Sequence, residues 1–172
     1  LAYDHSLTLP DTRHLAADWI RSHIPEGSSI LMDHSHASPP LPLSRQQARR
    51  LWEKTRSEGH PRSRYYRLLW EAHPGGGYEI YRLWRSPTDL DTQPEHAEWS
   101  RRGHEVLDVR GGLEAARGKA RYVVTTSYGA TPASAPELGK FFKELALQAR
   151  LLERFAPVAG RVAGPEIRIY RP

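Results

Sequence analysis

The tetrapeptide Asp33-His34-Ser35-His36 is the most chemical-looking grouping in the chain. Two imidazoles two residues apart, beside a carboxylate, can converge on a divalent ion when neutral or on a phosphate when protonated. A catalytic metal site needs about three well-placed protein ligands, and solvated loop residues are the simpler account of these side chains. No metal and no cofactor are therefore assigned. Ser127-Tyr128, at the end of a clear strand, adds a hydroxyl and a phenol. A nucleophile elbow needs glycine two residues before and after its serine. Gly129 is present, but Thr125 occupies the earlier position, so Ser127 reads first as a strand-end polar group. Asp33, His34, His36, Ser127 and Tyr128 remain the candidate ligand-binding set, because parallel strands deliver their following loops to one edge of a sheet.

Other motifs dissolve on inspection. The stretch from Gly112 to Gly118-Lys119 is no P-loop: five residues separate the glycines, and Ala120 stands where serine or threonine is needed. Gly75-Gly76-Gly77 precedes a strand instead of joining a strand to a helix, so it is a turn and not a dinucleotide fingerprint. Arginines interleave with aromatics at Arg62, Arg64, Tyr65, Tyr66, Arg67 and Trp70, and again at Tyr81, Arg82, Trp84 and Arg85. Single-strand nucleic-acid modules pair basic and stacking side chains in this way. An amphipathic helix burying Tyr65, Leu68, Leu69 and Trp70 explains the first run more simply, and no nucleic-acid motif accompanies it.

The elements that must position these residues read as follows. Asp11 caps a helix from 12 to about 24, with Leu15, Ala16, Trp19, Ile20 and Ile24 on one face. A short buried strand covers 29–32, and a Pro-rich loop follows from 33 to 43. Ser44 and Gln47 form a capping box, Leu43 and Ala48 its staple, for a helix to about 57. A helical piece spans 62–72, a strand 78–84, a loop 86–93, a short helix 94–99 and a strand 105–109. A short helix to Arg117 leads to the clearest buried strand, 121–127. Ser134 and Glu137 open what reads as the longest helix, to about 155, with Leu138, Phe142, Leu145, Ala149 and Leu152 inward. Alternation over 166–171 gives a closing strand, expected at an edge. The whole predicts one α/β domain over 1–172, three-layer-like, with a mainly parallel central sheet of about five strands flanked by helices.

Composition sets outer limits. Apolar residues make up 38% and charged residues 26% of 172, a globular balance. No apolar run approaches the ~20 residues of a membrane-spanning helix, and the first residues lack a signal peptide's pattern. The only methionine is Met32, inside a strand, so the chain is expected to be a cut or processed piece of a longer product. With no cysteine, disulfides, thiolate zinc sites and cysteine nucleophiles are excluded. A net charge of +5 favours an anionic membrane surface, phosphorylated lipid or nucleic acid as a partner.

Several segments in order resemble one family. Asp11-Thr12-Arg13-His14-Leu15-Ala16-Ala17-Asp18-Trp19-Ile20 with Ile24-Pro25-Glu26-Gly27-Ser28 is the opening. The strand from Arg121 through Val123 and Thr126 to Tyr128 follows, then Leu151-Leu152-Glu153-Arg154-Phe155-Ala156-Pro157 and Gly164-Pro165-Glu166-Ile167-Arg168-Ile169-Tyr170-Arg171. Together, across 11–171, they resemble the C-terminal extracytoplasmic region of polyprenyl-phosphate-sugar-dependent membrane glycosyltransferases, bacterial relatives of dolichyl-phosphate-mannose protein mannosyltransferases. The resemblance implies an accessory domain on the outer face of the bacterial cytoplasmic membrane, after the last transmembrane helix. There it would assist acceptor, lipid-linked donor or partner binding, without nucleic acid. The family's catalytic carboxylate lies in an external loop of the membrane domain, and no residue here matches it, so no catalytic residue is assigned. The His- and Pro-rich loop from Asp33 to Pro42 departs from the family pattern. Two other classes stay open: a stand-alone metal-dependent or serine hydrolase using Asp33, His34, His36 and Ser127, and a basic nucleic-acid-binding module using the Arg/aromatic runs.

Overall fold

A computed structural model describes residues 9–33, 36–84, 102–129 and 136–172. Helix α1 (Thr12–His23) starts where the Asp11 carboxylate accepts the Arg13 N–H, and Ile24 leaves it in an extended conformation ahead of Pro25. Strand β1 (Ser29–Met32) follows, its last three residues buried. Ser44 caps helix α2 (Arg45–Ser57) by accepting the Gln47 N–H, and helix α3 (Ser63–Glu71) packs on it. Strand β2 (Glu79–Leu83), the two-residue strand β3 (Val106–Leu107), helix α4 (Leu113–Arg117) and the wholly buried strand β4 (Tyr122–Thr126) come next. A 3-10 turn (Pro136–Leu138) opens helix α5 (Gly139–Gln148), and strands β5 (Arg150–Phe155) and β6 (Ile167–Arg171) close the chain.

The six strands form one sheet in the order β3-β2-β1-β4-β6-β5. The first four are parallel neighbours, while β6 runs antiparallel to both β4 and β5. Because side chains alternate across a sheet, the central strands feed two cores. Ile30, Met32, Ile80, Val124, Ile167 and Ile169 pack with Ala16, Ile20 and Ile24 of the α1 region. Leu31, Leu83, Val123 and Tyr170 pack with Leu113 and Ala116 of α4 and with Phe141 and Leu145 of α5. The α/β class is thus as expected, three layers included, and β1 lies beside β4 with Leu31 opposite Val123.

Four expectations are corrected. The helix expected to reach 155 stops at Gln148: Ala149 is extended, and 150–155 is strand β5. The buried residues of α5 are Phe141 and Leu145, with Phe142 only partly covered and Leu152 carried away into β5. The closing strand β6 is not at an edge, because β5 covers its second side. On α3 the buried residue is Tyr66, whereas Tyr65 and Leu68 are 56% and 52% exposed. Ser134, the loop at 86–93 and the helix at 94–99 lie outside the described residues.

Candidate functional site

Strands β1 and β4 lie side by side, and their connections leave in opposite directions, β1 toward β2 and β4 toward β6 and β5. In open α/β sheets, the crevice beyond the C-terminal ends of such a pair is where ligands bind. Asp33 stands there, directly after β1, only 2% exposed. Its Oδ2 accepts the Thr126 N–H at 3.0 Å and, more closely still, the Thr126 hydroxyl. Its Oδ1 accepts the Ser38 hydroxyl at 2.8 Å. A Cβ on Gly129 would sit 2.0 Å from Asp33 Oδ2, so the turn after β4 closes over the carboxylate only with glycine there. Asp33 thereby ties the loop after β1 to the end of β4.

The other candidate residues are divided. His34 lies outside the described residues. His36 is exposed, and its carbonyl accepts Arg13 Nη1 at 3.4 Å. With Arg13, Ala37, Tyr128, Gly164 and Pro165 it borders an open hollow of about 480 Å3. The cation of that hollow is already engaged, since Arg13 grips Asp11 through Nε at 2.9 Å and Nη2 at 2.6 Å. This fork holds the Asp11 carboxyl below the usual carboxylate range and raises the guanidinium's own pKa. Ser127 belongs elsewhere. Its Oγ accepts the Glu166 N–H at 3.2 Å and its own N–H donates to Glu166 O at 2.8 Å. It borders a second hollow, of about 400 Å3, with Phe142, Leu145, Arg168 and Tyr170 on the α5 side of the sheet. Among the described residues no group of three or more His, Asp or Glu could hold a metal ion.

Sequence reasoning passed over a third cavity, of about 420 Å3, between β2 and the α2–α3 pair. Arg82 projects into it from β2, beside Ile80 on the same face. Its Nη1 donates to Asp33 O at 3.2 Å, and burial pulls its pKa below the ordinary guanidinium value, against the opposing pull of the Asp33 charge and with a smaller push from Arg62. Arg62, at the start of α3, donates through Nη1 to His104 Nε2 in a short contact. The Tyr66 hydroxyl donates to Gly103 O at 2.6 Å, and burial raises its pKa. The signal available in the sequence was Arg82 at an inward position of a period-two strand. It was absorbed into the Arg/aromatic run. Of that run, Trp70 stacks on Trp52 of α2 at 4.9 Å, with Arg49 over Trp70 at 5.8 Å and Arg56 over Trp52 at 5.6 Å.

The fold and these sites define an α/β domain whose mixed, mostly parallel sheet opens a polar crevice at the ends of β1 and β4. No family model, curated protein or solved structure matches the chain. Among the described residues no helix is long and apolar enough to cross a membrane.

Proposed function

We propose that this domain is the extracytoplasmic C-terminal accessory module of a polyprenyl-phosphate-sugar-dependent membrane glycosyltransferase. It helps the transmembrane domain of its parent hold the acceptor, the lipid-linked donor or a partner subunit against an anionic membrane surface. One observation carries the reading: the segments that resemble the family fall on one connected part of the fold. Residues 11–28 make α1 and the turn into β1, residues 121–128 make β4, and residues 151–157 and 164–171 make most of β5 and all of β6. β4, β6 and β5 are consecutive in the sheet. The opening is also sewn to the close: the Thr12 N–H donates to Ala163 O at 2.9 Å and the Thr12 hydroxyl to Pro165 O at 2.7 Å.

The domain's part is binding, because none of its residues matches the carboxylate on which the family's transfer chemistry depends. The test is made on the parent protein in membrane vesicles. Protease added from the extracytoplasmic side should cut within residues 1–172, and deletion of 11–171 should lower sugar transfer while the isolated chain transfers none. A cytoplasmic location of these residues, or transfer by the isolated chain, overturns the reading.

A further inference from the structure

The cavity beneath β2 has the character of an anion site. Neither Arg62 nor Arg82 forms an ion pair among the described residues, although eleven other such pairs occur. The partners of Arg62 are nitrogen or hydroxyl groups: His104 Nε2 for its guanidinium and the Tyr66 oxygen. Arg82 spends one N–H on a backbone carbonyl. A guanidinium carries five N–H donors and cannot lose its charge. Two of them bordering one half-open cavity repel each other and leave several donors for a ligand. Among the described residues the carboxylate on the same wall, Glu105, is occupied: it accepts Arg50 Nε at 3.0 Å and Gln47 Nε2 at 2.9 Å. The Asp33 carboxylate, whose charge also acts on Arg82, is engaged by Thr126 and Ser38. Planar, forked donors of this kind are the protein's best match to a phosphate.

The cavity does not end at the arginines. Leu41, Leu43 and Tyr65 are shared with an adjoining groove of about 430 Å3, whose other walls include Ala48, Leu68, Leu69, Ala72 and Pro74. Tyr65 and Leu68 are among the few large apolar side chains left exposed. A cationic end joined to an apolar channel fits a ligand with a charged head and an apolar tail. We propose that this site binds an amphipathic phosphomonoester, its phosphate between Arg62 and Arg82 and its apolar chain along Tyr65, Leu68 and Leu69. The inference goes beyond the function proposed above and needs no part of it, because it uses only these side chains.

Calorimetric titration of the 172-residue chain with decyl phosphate, inorganic phosphate and decanol decides the matter. Decyl phosphate should bind at least about tenfold more tightly than either fragment, since the head adds charge-assisted hydrogen bonds and the tail adds buried methylenes. Arg62→Gln, at a half-buried position outside both cores, should weaken decyl phosphate by about tenfold or more with an unchanged thermal midpoint. Leu68→Asp, exposed and outside both cores, should weaken decyl phosphate yet leave inorganic phosphate binding as it was. Absence of binding, equal affinity for decyl phosphate and phosphate, or wild-type affinity in both variants overturns the proposal. Loss of sugar transfer in vesicles tests the parent's function separately, so failure of one reading is not failure of the other.

Discussion

Asp33 shows how a residue chosen for its chemistry turns out to be used for architecture. Read in the sequence, it stood beside two histidines as a potential ligand. In the fold its carboxylate satisfies the Thr126 N–H, the Thr126 hydroxyl and the Ser38 hydroxyl, all near the strand ends. Asp33→Ala should therefore destabilise the domain by ~2–5 kcal/mol in a denaturant titration, because buried donors are left without an acceptor. Gly129→Ala should also destabilise, since its new methyl group would overlap the Asp33 carboxylate. The two changes should not add: with the carboxylate gone, the methyl group has room, and the double variant should lose less stability than the sum of the single losses. Full additivity would mean that the turn and the carboxylate are not in the contact described. That the loop after β1 would meet the end of β4 was legible from the parallel-strand argument, although Thr126 and Gly129, the residues that actually meet Asp33, were not singled out. The partition of Ser127 from His36 and Tyr128 was not, because it depends on the antiparallel entry of β6 beside β4, whose backbone at Glu166 claims Ser127.

The elements were legible wherever a local signal and tertiary packing agree. Asp11 and Ser44 cap their helices as expected, and β1 and β4 announce themselves by continuous apolar residues. Residues 150–155 failed because their apolar residues fit a helical stripe as well as a strand. A register shift between Leu151 and Glu153 also erases the period-two pattern that would have marked β5. The open side of β6 decides the outcome, which no local window contains. Gln47 was read as half of a capping box, yet its amide does not return to the Ser44 N–H, which bonds Tyr78 O instead. The amide grips Ile80 from both sides: the Ile80 N–H donates to Gln47 Oε1 at 2.6 Å and Gln47 Nε2 donates to Ile80 O at 2.7 Å. β3 reaches only as far as Arg82 and Leu83 in its pairing with β2, so the side chain stands in for the missing strand residue opposite Ile80. Gln47→Ala should cost ~2–5 kcal/mol, far more than the loss of an exposed helix position, since two buried backbone groups lose their partners. Hydrogen exchange at the Ile80 amide should accelerate more than at Val123. If the loss is under about 1 kcal/mol, water has taken the place of the amide and the clamp adds little.

At the scale of the molecule, the chain's opening and close are one structure. The last strand β6 is inserted between β4 and β5, so the sheet is complete only when the C-terminal residues arrive. Beside it, Ala163 donates to Pro10 O at 2.9 Å and accepts the Thr12 N–H, while Asp11 caps α1 and grips Arg13. Gly164 lies so close that a Cβ there would come 2.8 Å from Asp11 Oδ1 and 2.4 Å from Thr12 Oγ1. Asp11 is thus the titratable group at the seam of the fold, and its pKa is depressed, first by the Arg13 hydrogen bond. A carboxyl whose folded pKa lies below its unfolded one binds fewer protons when folded. Its stabilisation is therefore whole above the unfolded value and is lost as pH falls through the folded one. Asp11→Ala should cost about 1 kcal/mol near neutral pH, the worth of an N-cap. The gap between wild type and variant should stay constant down to about pH 5 and narrow as pH falls below about 4, through the depressed folded value. Parallel urea titrations across that range measure it. A gap that persists unchanged at the acid end would mean that Asp11 acts through packing against Gly164 and not through its charge.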